Sequence, residues 1–174
     1  SGEATPHHLT LTDERCAGFD TRFKMNPPLR TAGDIEALVE GLRDGTLEIL
    51  ASDHAPHCDF EKEVEFQEAP FGILGLETQL GVYLNELHHR RGFTLREVLE
   101  KLTVNPARLL KLDRGTLEVG RPGDVTLLDP AREWTVDAAR FASKSRNTPY
   151  HGWKLTGRAV MTVVAGRVVW ALDE

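Results

Sequence analysis

The chain has 174 residues, of which 40% are hydrophobic and 28% are charged, a composition typical of folded globular proteins and not of disordered ones. A formal net charge of −6 and the lack of any Lys/Arg block argue against a nucleic-acid partner. No apolar run reaches the roughly 18 residues that a membrane helix needs, and two cysteines are too few for a disulfide framework, so a cytoplasmic location is expected.

Residues 3–11 contain alternating apolar and polar positions at their end, which favours a short extended segment. His7 and His8 would then point to opposite faces, so at most one of them could bind a given metal ion. We expect both to have structural or loop roles. The preceding residues carry neither an initiator Met nor a signal-peptide pattern, which indicates an internal start.

Asn26 is followed by two prolines, which fix the backbone of this loop in an extended form. An Asn side chain in such a rigid loop offers a donor and an acceptor to a polar ligand. A plain surface turn is an equally good interpretation of the pattern alone.

The next segment predicts a helix over residues 34–44, which Thr31 or Asp34 caps. A short buried strand over residues 47–51 follows directly. The simplest interpretation of residues 3–52 is a strand–helix–strand unit with a right-handed crossover.

Asp53, His54 and His57 lie immediately after this buried strand, and Pro56 prevents the strand from continuing. In α/β folds the carboxyl ends of strands carry the chemistry, and a carboxylate there can bind a metal ion or move protons. The alternative is an Asp that caps a turn beside histidines that only satisfy their neighbours. The strand-end placement and the second histidine favour the functional interpretation.

The segment over residues 58–69 is acidic and is predicted to be a solvated face or a mobile loop. The residues that follow it, Pro70 to Gly72, allow a close approach of the backbone, because Gly72 has no Cβ.

Helices are predicted over residues 73–89, 95–102 and 105–110, the second with a capping box from Thr94 to Glu97. Beyond them the pattern changes to strands. These are predicted over residues 125–128 and 133–136 and in a hairpin over residues 155–170 that turns at Ala165–Gly166.

The strands are too few for a closed barrel or an independent sandwich, and a (β/α)₈ barrel alone needs about 250 residues. The chain is therefore interpreted as the C-terminal part of something larger, and by itself it should leave strand edges and apolar helix faces exposed.

Six segments together resemble dihydroorotases of the amidohydrolase superfamily, in the family's order and over nearly the whole chain. The bacterial type related to hydantoinases and allantoinases is the most similar. The segments are Ala4–Leu9, Met25–Arg30, Ser52–His57, Ala69–Ile73, Thr103–Ala107 and Gly120–Val125. The resemblance implies an α/β fold in which residues 1–114 are the C-terminal part of a (β/α)₈ barrel and residues 115–174 are strands of a small composite β-sandwich.

The resemblance also implies roles for particular residues. Asp53 matches a carboxylate that binds one zinc ion of a dinuclear pair, accepts a proton from the attacking hydroxide and passes it to the leaving ring nitrogen. Asn26 and His57 match residues that bind the carboxylate and ring of the substrate, and the backbone near Pro70 and Gly72 matches a segment that bonds the ring amide. The implied reaction is the reversible conversion of dihydroorotate and N-carbamoyl-L-aspartate in pyrimidine biosynthesis.

The family's remaining zinc ligands, including a His-x-His pair, and an arginine for the substrate carboxylate are expected upstream of this chain. One Asp cannot hold two zinc ions, so we expect the isolated polypeptide to be inactive. Partners consistent with the resemblance are a second copy in a homodimer and aspartate transcarbamoylase.

Two alternatives remain open. One is a non-catalytic homologue that supports aspartate transcarbamoylase, although the presence of Asp53, Asn26 and His57 together argues against it. The other is a hydantoinase or allantoinase, whose substrates lack the carboxylate that Asn26 and His57 would bind.

Overall fold

The computed structural model describes residues 1–172, which form a helical part followed by an antiparallel sheet. The strands are β1 (Glu3–Ala4), β2 (Ile49–Leu50), β3 (Val125–Thr135), β4 (Lys154–Val164) and β5 (Arg167–Ala171). The helices are α1 (Pro6–Thr10), α2 (Ala32–Asp44), α3 (Asp59–Lys62), α4 (Gln79–Tyr83), α5 (Leu95–Leu102) and α6 (Val104–Leu109). A π-helical segment, Leu84–Arg90, continues α4, and 3₁₀ turns cover Asp13–Gly18, Thr21–Phe23 and Ala138–Arg140.

Strands β1 and β2 pair in parallel, which confirms the predicted strand–helix–strand arrangement, although each strand has only two residues. The connecting helix α2 begins after Thr31, whose side chain forms a capping box with Asp34, and it ends at Gly45, with a φ of +86°. The capping box satisfies N–H groups that the first turn of a helix leaves free.

The residues after β1 form helix α1, where the sequence analysis predicted an extended segment. Pro6 stands in the first turn of this helix, where its missing N–H has no partner to lose and its fixed φ suits helical backbone. Because neighbouring residues on a helix are rotated by about 100°, His7 and His8 point in different directions.

The hydroxyl of Tyr83 connects the carboxyl ends of β1 and β2. It lies 2.9 Å from the carbonyl oxygen of Ala4 and 2.6 Å from that of Ala51, and the whole side chain is buried. Burial raises the pKa of Tyr83 well above its ordinary value, so the hydroxyl stays protonated as a donor. The surrounding core combines apolar side chains of α1, α2, the strands, α4 and α5: Leu9, Val39, Leu42, Leu50, Leu84, Leu87 and Val98.

The helix predicted from Ile73 begins only at Gln79. Ile73 instead forms an isolated parallel bridge with His54, and Gly75 packs so closely on Ser52 that any Cβ would collide with the carbonyl oxygen of Ser52. Leu76, within the predicted helix, is 56% exposed. Tertiary pairing with the loop after β2 therefore overrides the helical pattern in this segment.

A buried carboxylate fixes the π-helical segment to α2. Glu86 is 2% exposed and pairs with Arg90 and Arg91, and Arg91 also reaches Glu36 on α2. Hydrogen bonding to these carboxylates raises the pKa of Arg91, so its charge is permanent.

Strands β3, β4 and β5 form the antiparallel sheet in that order. The two strands predicted over residues 125–128 and 133–136 are one strand, whose pairing is irregular between Asp129 and Glu133. The predicted hairpin is confirmed: Ala165 and Gly166 have φ values of +49° and +76°, as a tight two-residue turn between twisted strands requires.

Apolar side chains are exposed on β5 and between α6 and β3, as expected for a chain whose faces are incompletely covered. Those with the largest exposed fractions are Val119, Leu117, Leu110, Val168 and Val169. In the part of the chain that the structure describes, no helix has the length and apolarity required to span a membrane.

Replacing Tyr83 by Phe should lower the free energy of unfolding by about 1–3 kcal/mol, because the buried carbonyl oxygen of Ala4 and the part-buried one of Ala51 lose the hydroxyl donor that they share. Tyr150→Phe is the matched control. Tyr150 is equally buried, but among the described residues its hydroxyl bonds only the Thr10 hydroxyl. In the variant the Thr10 hydroxyl would still donate to the carbonyl oxygen of Pro6. Denaturant unfolding of both variants measures the difference, and equal losses would contradict the assigned role of Tyr83.

Candidate functional site

Asp53 lies in a left-handed backbone conformation, with a φ of +46°, just beyond the end of β2. Its side chain is 40% exposed and faces a cleft of about 680 Å³. Left-handed backbone is uncommon for non-glycine residues, although Asp and Asn adopt it more readily than most, and such conformations cluster at functional sites. The carboxylate predicted to be functional is therefore accessible and not packed among apolar neighbours.

The side chain of His7 faces that of Asp53, a contact that was not predicted from the sequence. Its Nε2 lies 3.4 Å from Oδ2 of Asp53, and the His7 side chain is 1% exposed. Neither ring nitrogen of His7 has a hydrogen-bond partner among the described residues. Burial, with the neighbouring His8 ring, lowers the pKa of His7 to about 3, so the imidazole is neutral near pH 7.

Pro6 is the sequence signal that could have revealed this pairing. A proline beside Thr5 favours a helix start over a strand, and a helix sends His7 and His8 in different directions. His8 has the structural role that was expected. Its Nε2 donates to the carbonyl oxygen of Pro27 at 2.9 Å, and its Nδ1 meets the Thr5 hydroxyl at 2.7 Å.

The bond from His8 places the loop with Asn26 at the cleft. Pro27, Pro28 and Asp53 all line the cleft, so the Asn-Pro-Pro loop and the carboxylate share one cavity. The Asn26 side chain itself is exposed.

His54 turns away from the cleft and stabilises a neighbouring turn. Its Nδ1 accepts from the backbone N–H groups of Gly75 and Leu76 at 3.1 and 3.3 Å. His57, by contrast, meets the segment 70–72: its Nε2 donates to the carbonyl oxygen of Phe71 at 2.9 Å. The His57 side chain is 23% exposed.

The Pro70–Gly72 segment approaches its neighbours as closely as the sequence predicted. Gly72 has a φ of +113°, and a Cβ on it would collide with the Cβ of Ala55 and lie 3.7 Å from Nε2 of His57. Its N–H donates at 3.0 Å to the carbonyl oxygen of Lys24, which fixes the segment to the Asn26 loop. The predicted residues Asn26, His57 and Gly72 therefore belong to three loops that contact one another.

Lys62 supports this segment from within the acidic stretch, which was predicted to be solvated or mobile. Its ammonium donates to the carbonyl oxygens of Pro70 and Gly72 at 2.8 and 3.1 Å, and the residue is 6% exposed. Burial, followed by the charge of Lys24, lowers the pKa of Lys62 to about 8.

The donor pair of His7 and Asp53 suits a metal ion but is incomplete. A neutral imidazole and a carboxylate are ligands that zinc accepts, and the unpartnered nitrogens of buried His7 lack the partners that such groups normally have. No group of three or more His, Cys, Asp or Glu side chains within residues 1–172 is arranged to hold a metal ion. A further ligand must therefore come from outside these residues if a metal is bound tightly.

Comparison with known proteins shows which family this chain is similar to. A model of the amidohydrolase family matches residues 6–169. The chain is 55% identical to a dihydroorotase from Geobacter sp. (strain M21), over 97% of this chain and 39% of that protein, and 53% identical to one from Citrifermentans bemidjiense over the same shares. An L-hydantoinase (dihydropyrimidinase) from Arthrobacter aurescens superposes with a TM-score of 0.89 at 34% identity, over 99% of this chain and 40% of that one. The chain thus spans about 40% of the length of these relatives.

Gly72→Ala should lower the free energy of unfolding by about 2–4 kcal/mol, because the new Cβ adds a collision with Ala55 to the strain of left-handed backbone. Gly45→Ala is the control, since Gly45 also has a positive φ but has nothing near its Cβ position. It should lose only about 1 kcal/mol. Chemical denaturation of both variants measures the difference, and equal losses would contradict the close packing at Gly72.

Proposed function

The chain belongs to the amidohydrolase family, and on that premise we propose that it forms part of a zinc-dependent dihydroorotase. The reaction is the reversible opening of dihydroorotate to N-carbamoyl-L-aspartate, a step of pyrimidine biosynthesis in the cytoplasm. The names of relatives that are 55% and 53% identical support this choice of substrate. The observation that carries the proposal is the contact between buried His7 and the accessible carboxylate of Asp53, which lines the cleft.

The metal site draws on both members of this pair. His7 is neutral, which is the form in which imidazole binds metals, and Asp53 presents an ionisable carboxylate at 3.4 Å from it. Bound zinc would lower the pKa of water towards 7 and polarise the ring carbonyl. The remaining ligands for two zinc ions would lie on polypeptide outside residues 1–172, so the segment alone should be inactive.

Asp53 would also transfer the proton. In ring opening, the oxygen of water forms a bond to the amide carbon, and the carboxylate of Asp53 takes the proton. The carbon–nitrogen bond of the ring then breaks, and Asp53 delivers the same proton to the leaving nitrogen, so the carboxylate is regenerated. A group with two proton-transfer steps must be accessible, which agrees with the 40% exposure of the Asp53 side chain.

Asn26, His57 and the backbone of Pro70 and Gly72 would bind the substrate. The contacts that join their loops support this assignment: Gly72 N–H to Lys24, and His57 to Phe71. An Asn amide can donate to the substrate carboxylate, and His57 would do so by exchanging the carbonyl oxygen of Phe71 for the substrate. Backbone groups of the 70–72 segment can pair with the ring amide.

The proposal extends to the architecture. Residues 1–114 would complete the C-terminal part of a (β/α)₈ barrel, and residues 115–174 would add strands to a composite β-sandwich. Such an arrangement would cover the apolar side chains now exposed on β5 and before β3. A homodimer and a complex with aspartate transcarbamoylase are assemblies in which this enzyme could work.

A hydantoinase is the second candidate, because the structural similarity to an L-hydantoinase extends over 99% of the chain at 34% identity. Assays of the complete enzyme on dihydroorotate, hydantoin and allantoin separate the candidates. The proposal requires dihydroorotate to have the highest kcat/KM of the three.

Asp53→Asn should reduce kcat by at least about 100-fold, because the amide cannot accept and return the proton. Asn tolerates the left-handed backbone at this position, so the fold should survive.

His7→Ala should lower the zinc content measured by elemental analysis. His89→Ala is the control, since His89 is exposed and only bonds the carbonyl oxygen of Pro130. Normal turnover by Asp53→Asn, or full zinc in His7→Ala, would contradict these roles.

His57→Ala should raise KM for dihydroorotate by about tenfold, the loss expected for one hydrogen bond to a charged group, and should change kcat little. The inhibition constant of a cyclic amide that lacks a carboxylate, such as hydantoin, should change much less. An equal loss for both compounds would place His57 outside the carboxylate subsite.

A further inference from the structure

One buried amide connects the two loops that would bind the substrate. Asn147 is 4% exposed, and its Oδ1 accepts from the backbone N–H of His57 at 3.3 Å. Its Nδ2 donates to the carbonyl oxygens of Ala55 at 3.0 Å and Gly72 at 3.3 Å. The backbone carbonyl of Asn147 accepts from Leu74 N–H at 3.0 Å. A single residue thus uses its side chain and its main chain to join segments 55–57 and 72–74.

Asn147 reaches this position from the connection between β3 and β4. The connection is itself fixed by Glu77, whose carboxylate accepts from the backbone N–H groups of Ala142 and Ser143 at 2.9 and 3.1 Å. The Arg146 guanidinium donates to the carbonyl oxygens of Ser143 and Ser145 on the same loop. The loop therefore presents Asn147 in a defined place.

The spacing between the two loops depends on few other contacts. Ala55 N–H donates to the carbonyl oxygen of Ile73 at 2.8 Å, and beside it Gly72 packs on Ala55 with no room for a Cβ. Lys62 donates to carbonyl oxygens of the 70–72 segment. Among the described residues it makes no hydrogen bond to residues 55–57. His57 itself also links the two loops, through its Nε2 and the carbonyl oxygen of Phe71. Asn147 differs in that it comes from a third segment and bonds both loops at once.

We propose that Asn147 is a positioning residue for substrate binding. It sets the distance between His57 and the 70–72 segment, and so acts on the substrate through those groups without touching the substrate. This inference rests on the proposed function, since it assigns to Asn147 the alignment of that same binding site. Asn147, in the connection between β3 and β4, would then position a substrate-binding site whose other residues lie much earlier in the chain.

An amide is the side chain that this position needs, because two carbonyl oxygens and one N–H converge on it. Asp has the same shape but loses both N–H donors and places a negative charge against two carbonyl oxygens. Asn147→Asp should therefore spread the two loops while leaving the side-chain volume unchanged.

The experiment compares Asn147→Asp with Asn105→Asp in the complete enzyme, with dihydroorotate as substrate. Asn105 is the matched control, because its Nδ2 also donates to a backbone carbonyl, that of Glu48, at 2.8 Å, but it lies on α6 away from the cleft. We expect Asn147→Asp to raise KM at least about tenfold with kcat within about threefold, and Asn105→Asp to change neither. Combined with His57→Ala, Asn147→Asp should raise KM by less than the product of the single effects, because both act through His57.

An unchanged KM in Asn147→Asp, or independent effects in the double variant, would overturn the inference while the unaltered enzyme remains active. Inactivity of the unaltered enzyme on dihydroorotate would overturn the proposed function and this inference together. Should Asn147→Asp fail to fold, Asn147→Gln keeps both hydrogen-bonding atoms one methylene further out and should show the same rise in KM. Loss of folded protein in both variants would assign Asn147 a purely structural role and refute the proposal.

Discussion

A buried hydroxyl group between two backbone carbonyls is the contact on which the arrangement of the cleft depends. Strands β1 and β2 are two residues long, so their own ladder gives little stability to the pair. Tyr83 shares its single hydroxyl proton between the carbonyl oxygens of Ala4 and Ala51, one at each strand end, from within the core. His7 follows the first of these ends and Asp53 follows the second, so the same contact brings the imidazole and the carboxylate within 3.4 Å.

The remainder of the cleft is built from loops, and side chains that bond backbone groups determine how those loops meet. His8 fixes the Asn-Pro-Pro loop, His54 fixes the turn at Gly75, and Lys62 fixes the 70–72 segment. Each of these side chains has the polarity of a candidate site residue, yet each is satisfied by a carbonyl or an N–H. His7 differs from them because both of its nitrogens are buried and have no hydrogen-bond partner among the described residues, and its proposed role as a metal ligand rests on this difference.

Local signals in the sequence were sufficient where one interaction decides the conformation. The capping box of Thr31 and Asp34, the two-residue turn at Ala165–Gly166 and the close approach at Gly72 were all predicted and are all present. The position of Asp53 at a strand end was also predicted, and the structure places its carboxylate in an open cleft.

Interactions between distant segments could not be predicted in the same way. The pairing of Ile73 with His54 delays the start of α4, although the apolar spacing of residues 73–77 fits a helix. Lys62 lies in an acidic stretch, and only the fold shows that two carbonyl oxygens surround its ammonium. The segment that contains His7 was predicted to be extended, but Pro6 starts a helix there. In the first two cases the deciding partner lies elsewhere in the chain and leaves no local pattern, whereas the helix at Pro6 has a local signal.

The backbone of Asp53 also limits which residues could replace it in descendants of this chain. With a φ of +46°, this position suits Asp, Asn and Gly far better than alanine or any branched residue. A descendant that lost the proton transfer proposed for Asp53 and retained the fold would therefore be expected to carry Asn or Gly at this position.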